Sequence, residues 1–385
     1  MKQDSFLRGS GGIKMANTIT PKPAGEYKVG TTVFDVTDSG RVEKLGPDAG
    51  KIPRKVSVRL YYPVLLQTVV GMDKAIAMSA ARLTALGKFY HMPVKGAEDI
   101  EGEFYQDAEP VPGKRFPLVI FSHGMGSYRE SNNLMLTELA SRGFVVAAIG
   151  HTYEEVLSEF ADGTTALFDK RCQADMYQPK MKGTIGALKV MLNKKGNFEE
   201  QYRRFNTFQS RYCGFLIERM EERAKDISVV LNAIKSSFAD IIDTRHGVGI
   251  SGHSIGGATA YYMCMHDDEF TCGINLDGML LGHYDGMSMK KPFYQISCED
   301  ARSTVSRVAI DNEAPVYWEL FNGMKHVGFA DMKFMVPIKS VVGKMDPMKY
   351  HEYVCRIHLS FFDAYLNGVP YEVYAPDDSF VRKLV

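Results

Sequence analysis

The chain alternates two kinds of apolar pattern. "VSVRLYYPV" (Val56–Val64) alternates in the manner of a strand. "FPLVIFSHG" (Phe116–Gly124) and "FVVAAIGH" (Phe144–His151) are unbroken apolar runs that end in small or polar residues. A strand covered on both faces reads this way, so these predict buried parallel strands. Between them, "SNNLMLTELASRG" (Ser131–Gly143) predicts a helix closed by Gly143. Strand, helix, strand is a βαβ unit.

The same rhythm continues downstream. Leu216, Met220, Ile227, Val230, Leu231 and Ile234 recur at helical spacing and predict a long amphipathic helix over Cys213–Ser237. A strand over His246–Ser254 then runs into a helix over Ile255–Asp267. Strands follow at Cys272–Gly278, Pro292–Asp300 and Pro315–Gly323, and a last helix at Lys349–Gly368. Parallel strands interleaved with helices predict a doubly wound, mostly parallel α/β sheet. Two segments interrupt the pattern, 65–109 and 152–212, and both read as helical cap insertions in a single domain over 25–385. Residues 1–24 read as a flexible leader, with Met15 as an internal start. "MDKAIAMSAARLTALGKF" (Met72–Phe89) reads as one amphipathic helix, either packed as a cap or resting transiently on a membrane surface.

Composition narrows the function classes. Of 385 residues 45% are hydrophobic, and 46 basic side chains balance 46 acidic ones. A nucleic-acid partner is not expected from that balance. Six scattered cysteines contain no CxxC pair, so no metal is expected, and no other cofactor. The first residues lack the apolar core of a secretory signal, which gives a cytoplasmic expectation. Lys194, Lys195, Arg203 and Arg204 read as a solvated charge run.

The chemistry centres on "GISGHSIGGAT" (Gly249–Thr259), which contains Gly-x-Ser-x-Gly around Ser254. Strand, sharp turn and helix would lift the serine hydroxyl off the sheet and aim a helix N-terminus at developing negative charge. Ser254 is therefore the candidate nucleophile of an α/β-hydrolase fold. An oxyanion hole needs the N–H of the next residue, Ile255, and a second from a loop after an earlier strand. "SHGMGSYRES" carries such an HGxG loop and nominates Met125; His123 reads as a structural residue of that loop. The chain order Ser, acid, His places the base downstream. His326, in the loop "NGMKHVGFAD" after the last predicted parallel strand, is the candidate, with His283 in reserve. His266, His351 and His358 fall within or just after helices. For the acid, Asp277 and the pair Glu299 and Asp300 stand at consecutive strand ends, and pattern alone does not separate them.

Several ordered motifs together resemble the platelet-activating factor acetylhydrolases of the plasma and type II class, calcium-independent serine lipases of group VII phospholipase A2. They are "FPLVIFSHGMGSYRESNNLMLTELASRGFVVAAIGH", "ISGHSIGGATA", "CGINLDGMLLG" and "MKHVGFAD", with "GEYKVGTTVFDVTD" and "VSVRLYYP" resembling that family's opening strands. The likeness runs from about Gly25 to about Phe334. It implies Ser254 as nucleophile, His326 as base, Ile255 and Met125 as oxyanion donors, and Asp277 as the acid. It implies a lipid ester substrate, a phospholipid with a short or oxidised sn-2 acyl chain. Ile255 and Gly278 stand where aromatics are common in the family, which implies a reshaped acyl pocket. Another carboxylesterase (dienelactone hydrolase-like, lipase-like or polyester-cleaving) and a non-catalytic protein on the same scaffold are the alternatives.

Overall fold

The computed structural model describes residues 20–92, 94, 96–336, 338–372 and 381–385. The chain opens with a long antiparallel pair, β1 (Lys28–Val42) and β2 (Pro53–Val64). Next come β3 (Lys74–Met78), α1 (Ala80–Phe89) and β4 (Ile100–Gln106). The central unit is β5 (Phe116–Ser122), α2 (Asn133–Ser141) and β6 (Val145–Gly150). A small hairpin, β7 (Leu157–Glu159) with β8 (Thr165–Leu167), precedes a run of helices. These are α3 (Arg171–Ala174), α4 (Lys180–Leu192), α5 (Phe198–Tyr212) and α6 (Gly214–Ser237). The short β9 (Ile242–Asp243) leads to β10 (Val248–His253), α7 (Ile255–His266), β11 (Phe270–Leu276), β12 (Phe293–Ser297) and β13 (Val316–Phe321). The described chain ends with α8 (Met332–Met335), α9 (Lys339–Val342), α10 (Pro347–Leu366) and β14 (Val381–Lys383).

Among the described residues the main sheet runs in the order β14-β13-β12-β11-β10-β5-β6-β2-β1-β4-β3. The six strands from β6 to β13 pair in parallel, and β2 and β14 flank them antiparallel. All seven residues of β5 and all six of β6 and of β10 are buried, as their unbroken apolar runs require. Helices lie on both faces. Val119, Ile120, Val146, Ile250 and Ile274 form the centre of one continuous core with α2, α6, α7 and α10.

The two interrupting segments have different fates. Segment 65–109 extends the sheet edge, because β4 pairs in parallel with β1 and antiparallel with β3. The expected single amphipathic helix over Met72–Phe89 is thus corrected to a strand followed by a shorter helix. Ser79 sits between them, and its hydroxyl accepts from the Arg82 N–H at 3.0 Å as a helix N-cap. Leu83 and Leu86 face inward with Met78, Tyr128 and Met332, so the apolar side of this helix packs against the protein. Segment 152–212 contains the β7–β8 hairpin and the α4–α5 pair, which packs on the 3-10 turns after β12. Of the expected leader, residues 1–19 lie outside the described residues, whereas Ala24 N–H donates to Glu138 Oε2 of α2 at 2.7 Å.

Buried polar contacts lock the strand that carries the site. Ser251 of β10 donates to His358 Nε2 of α10 at 2.9 Å, and His358 Nδ1–H donates to the Val354 carbonyl at 2.7 Å. Burial lowers the His358 pKa to about 4, so the ring is neutral. Because this pKa is depressed, the stabilisation is fully present above about pH 6.5 and is lost as the pH falls towards 4. His358→Gln removes the titration. The stability gap between wild type and variant should be about 2 kcal/mol smaller at pH 5 than at pH 7, read from urea unfolding. A gap independent of pH would show that His358 does not titrate in this way.

Candidate active site

Ser254 stands between β10 and α7 with φ 58° and ψ −127°, a strained conformation for a non-glycine residue. The local sequence explains how the chain tolerates it. A Cβ on Gly252 would lie 2.3 Å from Gly256 backbone, and one on Gly256 would lie 2.0 Å from the Ser122 carbonyl oxygen. Glycines two before and two after the serine are therefore demanded by close approach. The turn places Ser254 Oγ 2.9 Å from His326 Nε2.

His326 comes from the loop after β13, where it begins a 3-10 turn over His326–Phe329. Its Nδ1–H donates to Asp277 Oδ2 at 2.7 Å. Asp277 follows β11, also at positive φ (58°), and is buried, while the His326 side chain is 48% exposed. The relay thus runs from a buried carboxylate to an imidazole open to solvent. Geometry separates the rival acids. Asp300 pairs with Lys325 Nζ at 2.6 Å, and Glu299 faces Arg382 and Lys194. The reserve histidine, His283, is exposed. His266 stacks on Tyr262, and His351 lies beside Cys355.

Three supports escaped the sequence reading. The end of β12 supplies donors to the acid: Cys298 N–H reaches Asp277 Oδ1 at 2.7 Å, and its thiol reaches Oδ2 at 3.3 Å. Burial first, then the neighbouring carboxylate, pushes the Cys298 pKa up and keeps it a thiol donor. His253 Nε2–H donates to the His326 carbonyl at 3.0 Å, with the two rings 4.9 Å apart. Burial, followed by the adjacent His326, lowers the His253 pKa to about 3, so it braces the loop as a neutral ring. Arg223 of α6 grips the His123 carbonyl and pairs with Glu154 at 2.8 Å. Cys298 and Arg223 reach the site across the fold, with no spacing rule linking them to Ser254. His253 fills a variable position of the Gly-x-Ser-x-Gly motif, whose pattern says nothing of its contact with the His326 loop.

The HGxG loop lies against Ser254. A Cβ on Gly124 would sit 3.2 Å from Ser254 Cβ. His151 N–H donates to His123 Nε2 at 3.2 Å and His123 Nδ1–H donates to the Gly124 carbonyl at 2.6 Å, which gives His123 a structural place in this loop. Gly126 N–H is taken by the Glu154 carbonyl at 2.8 Å. Neither Met125 N–H nor Ile255 N–H donates to a protein acceptor among the described residues. Ile255 opens α7, where the helix dipole favours an anion. The Ile255 side chain is buried in one apolar cluster with Phe205, Phe208 and Leu281, with Met125 packed on the same cluster.

The family model for platelet-activating factor acetylhydrolase, isoform II, matches residues 12–367. The chain belongs to this family. Among its relatives, the guinea pig (Cavia porcellus) platelet-activating factor acetylhydrolase is 26% identical over 274 residues, which cover 66% of this chain and 58% of that protein. The chicken (Gallus gallus) protein is 25% identical, covering 62% and 57%. The dog (Canis lupus familiaris) protein is 26% identical, covering 82% and 68%. The match thus spans under two thirds of the guinea pig and chicken acetylhydrolases. A ferulic acid esterase from Streptomyces cinnamoneus has a similar structure, with a TM-score of 0.73, 22% identity, and coverage of 95% of this chain and 99% of that one. The sheet and its helices therefore form an α/β-hydrolase fold. Within this acetylhydrolase-family chain, the backbone explains the glycine at 278. A Cβ there would fall 2.0 Å from the Ser254 carbonyl oxygen, so no side chain fits this turn.

Proposed function

We propose that the chain is a serine ester hydrolase that cleaves the short or oxidised sn-2 acyl ester of phospholipids through an acyl-enzyme. The observation that carries this reading is the Ser254–His326–Asp277 relay, with contacts of 2.9 and 2.7 Å. His326 Nε2 takes the hydroxyl proton as Ser254 Oγ attacks the ester carbonyl. Asp277 holds the imidazole in the tautomer with Nε2 free and offsets the positive charge that forms. Ile255 and Met125 N–H groups receive the oxyanion. Collapse expels the lysophospholipid alkoxide, which takes the proton from His326. Water, deprotonated by the same histidine, then releases the acid and restores Ser254. No step in this sequence calls on a metal or organic cofactor. Family membership supports the lipid ester, and the apolar wall of Ile255, Phe205, Phe208 and Leu281 supports an acyl chain seated beside the serine.

The purified protein should label with a fluorophosphonate and hydrolyse p-nitrophenyl acetate. On phosphatidylcholines of increasing sn-2 length, the acetyl ester should be cleaved at least tenfold faster than the palmitoyl ester. Hydrolysis of simple esters without any sn-2 cleavage would replace this reading with a different carboxylesterase. Failure to label would replace it with a non-catalytic protein on a hydrolase scaffold.

A further inference from the structure

Helix α4 is apolar on two opposite sides. On its inner side Gly183 is buried, and Ala187 and Val190 pack into the cluster that contains Ile255 and Met125. Its outer side carries Met181, Ile185, Leu188 and Leu192, which are 74%, 49%, 56% and 70% exposed. At about 100° per residue these four fall within an arc of roughly 60°, facing away from the inner side. Soluble helices ordinarily place polar side chains there. A contiguous apolar stripe left in water marks a contact surface.

The charge around the stripe identifies what it contacts. Residues 180–195 carry five lysines and no acidic side chain. Lys182 and Lys189 flank the stripe on one side, and neither makes an ion pair among the described residues. Arg203 extends the basic surface on α5 and is likewise exposed. An amphipathic element with an apolar strip and a lysine border matches a bilayer interface bearing anionic headgroups. At 13 residues the helix spans about 20 Å along its axis, so it lies in the interface plane. Among the described residues no helix is long and apolar enough to cross a membrane.

We infer that α4 docks the protein on an anionic lipid surface, with the stripe in the headgroup and acyl boundary. This relocates the membrane contact that the sequence suggested at Met72–Phe89. The inference rests on the lipid-ester reading of the site for its purpose, because the inner side of α4 touches the wall beside Ser254. Docking would then bring that wall close to the lipid supply.

The test compares wild type with Leu188→Asp/Leu192→Asp and with Lys182→Glu/Lys189→Glu. All four positions are exposed, so folding should persist, and circular dichroism checks it. Wild type should co-sediment with vesicles of phosphatidylcholine and phosphatidylserine, less with phosphatidylcholine alone, and less at high salt. The leucine variant should lose at least tenfold in vesicle affinity. The lysine variant should lose the phosphatidylserine preference. Hydrolysis of water-soluble p-nitrophenyl acetate should stay within twofold of wild type in both. Wild type that ignores vesicles, or a leucine variant that binds them as wild type does, overturns the inference. A wild-type dimer that the leucine variant dissolves, without vesicle binding, assigns the stripe to a second copy instead. Vesicle binding without any ester hydrolysis would refute the catalytic reading alone.

Discussion

Ser254→Ala should lower kcat/KM on p-nitrophenyl acetate by about 10⁵-fold and abolish fluorophosphonate labelling. The size follows from what the substitution removes and what it leaves. It removes the hydroxyl oxygen that lies 2.9 Å from His326 Nε2, so no acyl-enzyme forms. It leaves the backbone donors at Ile255 and Met125, which still favour attack by water and account for a small residual rate. Folding should be little affected. Serine and alanine both carry a Cβ at the positive φ of the elbow, so the strain there is unchanged. Thermal unfolding should therefore match wild type within a few degrees, which separates loss of chemistry from loss of structure. A variant that keeps more than a tenth of the activity would remove Ser254 as the nucleophile.

Much of this arrangement was legible in the sequence, for identifiable reasons. The runs at Leu118–Phe121 and Val145–Ile149 are apolar at every position because both faces of their strands are covered, so they read as parallel strands. The elbow was legible because close backbone approach at Gly252 and Gly256 excludes any side chain. The sheet edge was harder. "KAIAM" and "AARLTALGKF" run together as one apolar pattern, and the break between strand and helix rests on a single capping serine, Ser79. In "IEGEFYQ", Glu101 and Glu103 alternate outward in strand fashion, but Gly102 weakens the signal. The choice of acid lay beyond pattern, since β11 and β12 are neighbours and both end in acidic residues. The fold separates the two by backbone direction: Asp277 N–H stays in the ladder by donating to the Ile296 carbonyl at 2.8 Å, and its carboxylate accepts from His326. The equivalent end of β12 brings Cys298 donors to that carboxylate, while Glu299 and Asp300 turn outward. The outer stripe of α4 was invisible for another reason. Apolar spacing on a helix does not say which of two faces the rest of the chain covers.

Asp277→Asn should lower kcat by about 10⁴-fold on the same ester, with the fold intact. The carboxylate accepts from three donors: His326 Nδ1–H, Cys298 N–H and the Cys298 thiol. An asparagine offers one acceptor oxygen and one donor group. If the oxygen keeps Cys298 N–H, the amide N–H₂ faces His326 and selects the tautomer with Nε2 protonated. That ring cannot take the Ser254 proton. If the oxygen turns to His326, two donors meet at Cys298 in a buried site, which is costly. Either way the charge that offsets the imidazolium is gone. Asp300→Asn and Glu299→Gln should each stay within threefold of wild type. The ion pairs they lose, to Lys325 and to Arg382 and Lys194, are solvent-exposed and of small energetic value. Comparing the three variants side by side makes the assignment exclusive. A large loss in Asp300→Asn or Glu299→Gln with near-normal Asp277→Asn would move the acid to the end of β12. Equal modest losses in all three would mean that no single carboxylate orients His326 during turnover, and that the 2.7 Å contact with Asp277 is not the one the reaction uses.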